Sequence, residues 1–225
     1  MLFAIDLNVL SYSKIMTQPK KILALGAHPD DIEFSSGATM KRFAEEGAEI
    51  YWAVFSPCVK SLPPGSDPQR LYKEMRKSAE ILGISKDHIY TYNFEVRYFT
   101  KTRQDILEEM IVLKKKLNPD LVFLPNSVDI HQDHQVIHNE GVRAFKNTCV
   151  LGYELPWNDI EFKNNYFVRV EKEHIEAKIA AIDQYESQNA RVYKSAEFYF
   201  SLAMVRGTQM SVPYAESFEL IRWVE

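Results

Sequence analysis

The chain has 225 residues, of which 46% are hydrophobic and 26% are charged, and its formal net charge is -4. This composition is typical of a globular protein large enough to bury a sizeable core. The acidic balance argues against a nucleic-acid partner, and the lack of an apolar run of about 20 residues argues against a membrane-spanning helix.

Residues 1–19 precede the first strongly apolar strand and carry no recognisable motif. Their apolar part contains Asp6 and Asn8 and no basic residue comes before it, which is unlike a secretory signal peptide. Cys58 and Cys149 stand far apart without a metal-binding or redox spacing, as in proteins of reducing compartments. We therefore predict an N-terminal extension over 1–19, a single domain over 20–225 and a cytoplasmic location.

From residue 20 onwards, apolar runs alternate with segments of helical periodicity. The predicted strands are 22–27, 49–56, 88–94, 121–125, 149–154 and 166–170, and the predicted helices are 36–46, 69–82, 102–117, 132–146 and 172–188. This alternation indicates an α/β fold with a doubly wound, mainly parallel sheet. We predict that the last ~40 residues form an irregular extension packed on that domain.

Two of the predicted strands end in clusters of polar residues. The first cluster is GAHPDD (26–31) and the second is PNSVDIHQDH (125–134). Ligands of doubly wound sheets bind beyond the carboxyl ends of the strands, so parallel strands would bring both clusters to one edge. The candidate site residues are His28, Asp30, Asp31, His131, Asp133 and His134.

Imidazole and carboxylate groups in this combination suit a catalytic Zn²⁺ site with one position open to water. Only some of the six residues can be ligands, and a spare carboxylate could act as the base while a spare histidine faces the substrate. The first cluster contains Gly26 alone and not a GxGxxG motif, which argues against a dinucleotide site.

Several alternatives remain at this point. His138 could form a ligand pair with His134 one helical turn earlier, although the intervening Gln135 cannot serve as a base. His88 and His174 lack suitably spaced acidic partners and are predicted to be structural or surface residues. A two-histidine, one-carboxylate set also occurs in non-haem Fe(II) oxygenases.

A non-catalytic sugar- or metal-binding protein is a further alternative. Such a protein would keep the ligands but would have no need of a spare acid and a spare histidine. Both are present here, which favours an enzyme.

The motifs AHPDDIEFSSGATM (27–40) and DIHQDH (129–134) together resemble the LmbE-like, or PIG-L, de-N-acetylases. KIAAIDQYESQ (178–188) and YAESFELIR (214–222) are similar to the C-terminal segments of that family. The resemblance implies a Rossmann-like fold with helices on both faces of the sheet. It also implies a zinc hydrolase that releases acetate and a free amine from an N-acetylglucosamine-type sugar or glycoside.

By position, the resemblance implies that His28, Asp31 and His134 bind zinc, with Fe²⁺ or another divalent ion as a substitute. It assigns the general base to Asp30 and stabilisation of the oxyanion to a protonated His131, which Asp133 would orient. The family's substrate-binding arginine has no clean match, so Arg97, Arg70 and Arg76 are candidates. A homo-oligomer is compatible with these features.

Overall fold

The computed structural model describes residues 19–189 and 191–224. The predicted N-terminal extension, apart from Pro19, lies outside the described residues. The strands are β1 (Lys21–Gly26), β2 (Glu49–Val54), β3 (Ile89–Thr91), β4 (Leu121–Pro125), β5 (Cys149–Tyr153), β6 (Tyr166–Arg169) and β7 (Ala215–Arg222). The helices are α1 (Asp31–Glu45), α2 (Arg70–Ile81), α3 (Arg103–Leu117), α4 (Gln132–Ala144), α5 (Lys172–Ile182) and α6 (Ala196–Gln209). Over these residues, no helix combines the length and apolar character that crossing a bilayer requires.

The strands form one seven-stranded sheet in the order β3-β2-β1-β4-β5-β7-β6. The pairs β3–β2, β2–β1, β1–β4 and β4–β5 are parallel, whereas β7 is antiparallel to both β5 and β6. The predicted mainly parallel α/β architecture is confirmed.

The core of the protein lies on both faces of the sheet because the central strands are apolar on both sides. Ile22 and Ala24 of β1 belong to one buried cluster, together with side chains from α1, α2, α5 and α6. Leu23 and Leu25 point to the opposite face, where they belong to a second cluster with side chains from α3 and α4. Helices therefore cover both faces, as the doubly wound prediction requires.

The C-terminal region differs from the prediction of an irregular extension, which is wrong. Residues 196–209 form α6, and β7 is inserted between β5 and β6 inside the sheet. Three buried polar residues, Glu216, Ser217 and Glu219, interrupt the apolar pattern of β7. The sequence pattern therefore does not predict a strand there.

Two predicted helix boundaries shift by more than one helical turn. The first helix starts at Asp31 rather than at residue 36. A kink at Ser36, whose φ is -125° and ψ is 18°, separates the part before residue 36 from the predicted part. The helix predicted over 172–188 ends at Ile182.

A buried ion pair holds the kink of α1. The Glu216 carboxylate accepts hydrogen bonds from the backbone N–H groups of Ala38 (3.3 Å) and Thr39 (2.7 Å), which the kink releases. Lys178 Nζ donates to the Ser35 carbonyl (2.9 Å) and to Glu216 (2.6 Å). The pair therefore joins α1 to α5 and β7.

The register of the central strands sets the position of the two polar clusters. Ile22 pairs with Leu121 in a parallel ladder, so β1 and β4 run side by side in the same direction. The loops that follow Gly26 and Pro125 consequently open at the same edge of the sheet, as the sequence predicts.

Candidate active site

The loop after β1 turns sharply into α1. The Asp31 carboxylate accepts a hydrogen bond from the backbone N–H of His28 (2.8 Å), which folds the loop back on the first turn of the helix. Tyr185 follows the C-terminal end of α5, and its hydroxyl donates a hydrogen bond to the Pro29 carbonyl at 2.6 Å. Asp30 and Asp31 are thereby fixed where β1 meets the helix.

The loop after β4 is organised by a carboxylate that sequence reasoning missed. Asp129, which is 1% exposed, accepts hydrogen bonds from the backbone N–H of His131 (2.8 Å) and from Nδ1 of His134 (2.6 Å). A metal-binding histidine usually donates its second ring nitrogen to a carboxylate, so the acid five residues before His134 was a usable signal.

Three ligand atoms converge between the two loops. His28 Nδ1 lies 3.1 Å from His134 Nε2, and Asp31 Oδ1 lies 3.3 Å from His134 Nε2 and 3.6 Å from His28 Nδ1. Two atoms that each bind a tetrahedral zinc at about 2.05 Å are about 3.3 Å apart. The separations of the three atoms therefore fit a shared tetrahedral metal.

The outer nitrogens of both histidines are already bound to carboxylates. His28 Nε2 lies 3.2 Å from Asp133 Oδ2, and His134 Nδ1 lies 2.6 Å from Asp129 Oδ2. Each outer nitrogen therefore carries a proton, and each inner nitrogen faces the other ring. These inner nitrogens are 3.1 Å apart, so they can share one cation, either a proton or a metal ion.

The electrostatics of the three groups are consistent with this. Burial disfavours a charge on His28, but the Asp31 carboxylate and hydrogen bonds to Asp133 and Asp31 raise its pKa to about 9. Burial likewise opposes ionisation of Asp31, yet His134 and His28 hold the pKa of its carboxyl well below the usual range. The pocket thus favours a cation next to an ionised Asp31.

Asp30 lies beside this group and lines the same cavity. Burial and the neighbouring Asp31 charge raise the pKa of Asp30 to about 6. A carboxylate with this pKa is ionised at neutral pH but retains enough basicity to accept a proton from water.

His131 lies against both ligand histidines, with ring centroids 4.7 Å from His28 and 4.6 Å from His134. One nitrogen from each of the three histidines lies within 4.8 Å of the others, a looser grouping than the set that contains Asp31. His131 Nδ1 accepts a hydrogen bond from the backbone N–H of Asp133 (3.2 Å), so its proton resides on Nε2.

The expected protonated form of His131 is not what the structure supports. Burial, together with the neighbouring His134 and His28, lowers the pKa of His131 to about 4. At neutral pH the ring is therefore a neutral hydrogen-bond donor through Nε2.

Asp133 contacts His131 only through this backbone N–H and not through its carboxylate. The carboxylate instead accepts hydrogen bonds from His28 Nε2 and from the backbone N–H of Arg97 (2.6 Å). The predicted orienting carboxylate of His131 thus orients His28, a different histidine of the cluster.

The candidate arginines occupy different environments. Arg97 lines the cavity and has a left-handed backbone, with φ of 71°. Arg70 is not among the residues that line the cavity and pairs with Glu74 on α2 at 3.1 Å. Arg76 contacts the carbonyl and ring of Tyr72. Of the three, the structure brings only Arg97 to the cavity.

The cavity has a volume of about 370 Å³ and extends well beyond the histidine cluster. Sequence reasoning missed many of its lining residues, among them Trp157, Asn158, Arg191 and Tyr193. Trp157 and Asn158 follow β5, which is parallel to β4, so the rule that identified the other two loops could have found them. Arg191 and Tyr193 lie in an irregular segment after α5 that carries no comparable signal.

The remaining histidines and cysteines lie outside the ligand cluster. His138 Nδ1 contacts the Pro125 carbonyl (2.8 Å), His88 stacks on Tyr51, and His174 Nε2 contacts Glu45. The structural roles predicted for His88 and His174 are confirmed. Cys58 and Cys149 are free and buried.

Comparison with known proteins places this site in a family. Residues 23–145 match the PIG-L family, whose description is GlcNAc-PI de-N-acetylase. The chain is 31% identical over 179 residues to the uncharacterized deacetylase YaiS of Escherichia coli, an alignment that covers 75% of this chain and 91% of YaiS. It is 25% identical to the diacetylchitobiose deacetylase of Thermococcus kodakarensis, with 90% of this chain and 83% of that protein covered.

The fold is also found in a protein with another activity. The structure of GalB, the 4-carboxy-2-hydroxymuconate hydratase of Pseudomonas putida, has a TM-score of 0.74 and 19% identity, with 92% of this chain and 98% of that chain covered. This likeness shows the shared architecture alone, because folds of this kind host several chemistries. The family match over 23–145, which contains both polar clusters, is the more specific result, and the chain belongs to the PIG-L family.

Proposed function

We propose that the protein is a zinc-dependent deacetylase that hydrolyses the acetamido group of an N-acetylated sugar or glycoside. The observation that carries the proposal is the convergence of His28, Asp31 and His134 within 3.1–3.6 Å, with Asp30 and His131 beside them. This arrangement provides a metal site, a separate base and a separate hydrogen-bond donor. Membership of a de-N-acetylase family supports amide hydrolysis as the reaction.

In this proposal, His28 Nδ1, His134 Nε2 and Asp31 hold the metal, while Asp133 and Asp129 fix the two imidazole rings. A bound divalent metal would supply Lewis-acid activation of a water molecule and of the amide carbonyl. The Asp133 and Asp129 carboxylates prevent the two rings from rotating, because a rotated ring would no longer direct its inner nitrogen at the metal.

Asp30 accepts the proton of the attacking water in its ionised form. The amide carbonyl carbon gains the new C–O bond, and negative charge develops on the carbonyl oxygen. His131 donates a hydrogen bond from Nε2 to that oxygen. The C–N bond then breaks as Asp30 returns its proton to the departing nitrogen, which leaves acetate and a free amine.

The experiment incubates the zinc-loaded protein with diacetylchitobiose and with the methyl glycoside of N-acetylglucosamine. The expected result is equal amounts of acetate and free amine. A matched reaction with the Asp30→Asn variant should release both products more slowly, by about 10²-fold or more. A fully metallated protein that cleaves no acetamido sugar would overturn the proposal.

The same preparation separates the alternative chemistries. Oxygen consumption with an Fe²⁺-loaded protein would indicate an oxygenase. Water addition to an unsaturated carboxylic acid, without acetate release, would indicate a hydratase. Sugar binding with no product from any substrate would indicate a binding protein.

A further inference from the structure

The cavity holds two arginines whose charge is not balanced by a carboxylate. Arg97 Nη2 donates to the Ser61 hydroxyl (3.2 Å), and Arg191 Nε donates to the Gln188 side-chain carbonyl (3.3 Å). Both partners are neutral. Across the described ranges 19–189 and 191–224, neither guanidinium lies within 4.0 Å of a carboxylate.

This is unusual within the chain, which has an excess of acidic residues. Six other arginines are paired with carboxylates: Arg42, Arg70, Arg103, Arg143, Arg169 and Arg206. Arg76 and Arg222 donate to backbone carbonyls and do not line the cavity. Among the described residues, Arg97 and Arg191 are therefore the two arginines that both lack a carboxylate partner and line the cavity.

The backbone conformation of Arg97 also supports a role for its guanidinium in the cavity. Its φ of 71° is a conformation that glycine or asparagine adopts readily and that costs free energy for arginine. The Asp133 carboxylate holds this conformation through the Arg97 N–H at 2.6 Å and simultaneously contacts His28 Nε2. A glycine would meet the backbone requirement without strain, so what the arginine adds is its guanidinium, which contacts Ser61 in the lining of the cavity.

Guanidinium groups bind carboxylates and phosphates through paired hydrogen bonds. We propose that Arg97 and Arg191 form an anion subsite, so that the substrate is an N-acetylated sugar with a carboxylate or phosphate group remote from its acetamido group. Asp30 and Asp31 lie at the reacting end of the cavity and would repel an anion there. This inference rests on the proposed function and refines its substrate class.

The test measures binding by titration calorimetry to the zinc-loaded Asp30→Asn variant, which leaves the substrate intact. Three probes differ only in the aglycone of N-acetylglucosamine: a neutral methyl group, a carboxylated group and a phosphorylated group. Both acidic probes should bind about tenfold more tightly than the neutral probe at low salt. This preference should fall sharply in about 1 M NaCl, where the Debye length is about 3 Å. The affinity ratio of the two acidic probes identifies which anion the subsite accepts.

Variants in the same background assign the preference to the two arginines. Arg97→Gln and Arg191→Gln should each reduce the ratio of acidic to neutral affinity by about threefold or more. Arg97→Gly should do the same, and it is the variant that best preserves the left-handed backbone. Arg169→Gln is the matched control, because it removes an exposed charge at the sheet edge formed by β6 and should leave the ratio unchanged.

Equal affinity for all three probes would overturn the anion subsite, as would an acidic preference that survives the double variant of Arg97 and Arg191. The binding result does not depend on turnover. A zinc-loaded native chain that releases no acetate from any probe contradicts the proposed deacetylase, whereas one that cleaves all probes equally well contradicts only the subsite.

Discussion

Asp30 and Asp31 are neighbours in sequence, but their surroundings shift their pKa values in opposite directions. Burial and the Asp31 charge raise the pKa of Asp30 to about 6. Burial also opposes ionisation of Asp31, but His134 and His28 hold the pKa of its carboxyl well below the ordinary value. Two adjacent carboxylates with separated pKa values are suited to different tasks. In the proposed mechanism, Asp31 is the ionised ligand and Asp30 exchanges a proton.

Isosteric substitutions should separate these two roles. Asp31→Asn removes a charged ligand and should lower both zinc content and turnover. Asp30→Asn should keep zinc near one equivalent while turnover falls by about 10²-fold or more, because the base is lost. Metal analysis and acetate release on the same preparations check this. If the Asp30 variant loses zinc and the Asp31 variant keeps it, the roles are reversed.

The pH profile tests the state of His131. Asp30 acts only when ionised, so kcat/KM should fall as the pH decreases through its pKa, at about 6 or below because a bound cation lowers that pKa. The pKa of His131 is lowered to about 4, so its ring is already neutral where Asp30 is ionised. His131→Ala should therefore lower kcat at every pH without removing an alkaline limb. An alkaline limb that is present in the native enzyme and absent from this variant would show that His131 acts as an imidazolium.

At the scale of elements, the sequence predicts what depends on regular patterns. β1 and β4 are uninterrupted apolar runs, so their strand character and the shared edge of their loops follow from the sequence alone. β7 was missed because Glu216 and Glu219 are buried through partners distant in sequence, which no local pattern shows. Asp129 was missed for the same reason, since its role depends on how the loop after β4 folds.

The buried pair of Lys178 and Glu216 makes a prediction about how these elements are joined. Lys178→Met leaves a buried carboxylate without its cation and should lower the free energy of unfolding by about 3–5 kcal/mol. Lys172→Met on the same helix is the matched control, because its pair with Glu176 is exposed and contributes little to stability. Urea denaturation measures both. Equal losses in the two variants would show that the buried pair does not stabilise the kink of α1.

At the scale of the whole molecule, the site exists only when the chain is folded. The two facing nitrogens belong to His28 and His134, which are 106 residues apart, and the folded sheet alone brings their loops together. A metal that binds the folded state and not the unfolded chain stabilises the protein by RT ln(1 + [L]/Kd), which is about 2.7 kcal/mol at 100 times Kd. The proposed metal site therefore predicts that metal binding is coupled to folding.

Removal of the metal should consequently lower both activity and thermal stability. A chelator should abolish acetate release and reduce Tm, and added Zn²⁺ should restore both, because the proposed ligands converge only in the folded chain. His134→Ala should abolish the zinc-dependent rise in Tm. His138→Ala, which removes a histidine from the same helix but outside the cluster, should retain it. Thermal unfolding with and without Zn²⁺ measures the difference, and the same series with Fe²⁺ tests whether another divalent ion substitutes. A Tm that does not respond to metal in the native chain, or that responds equally in the two variants, would show that these residues do not form the metal site.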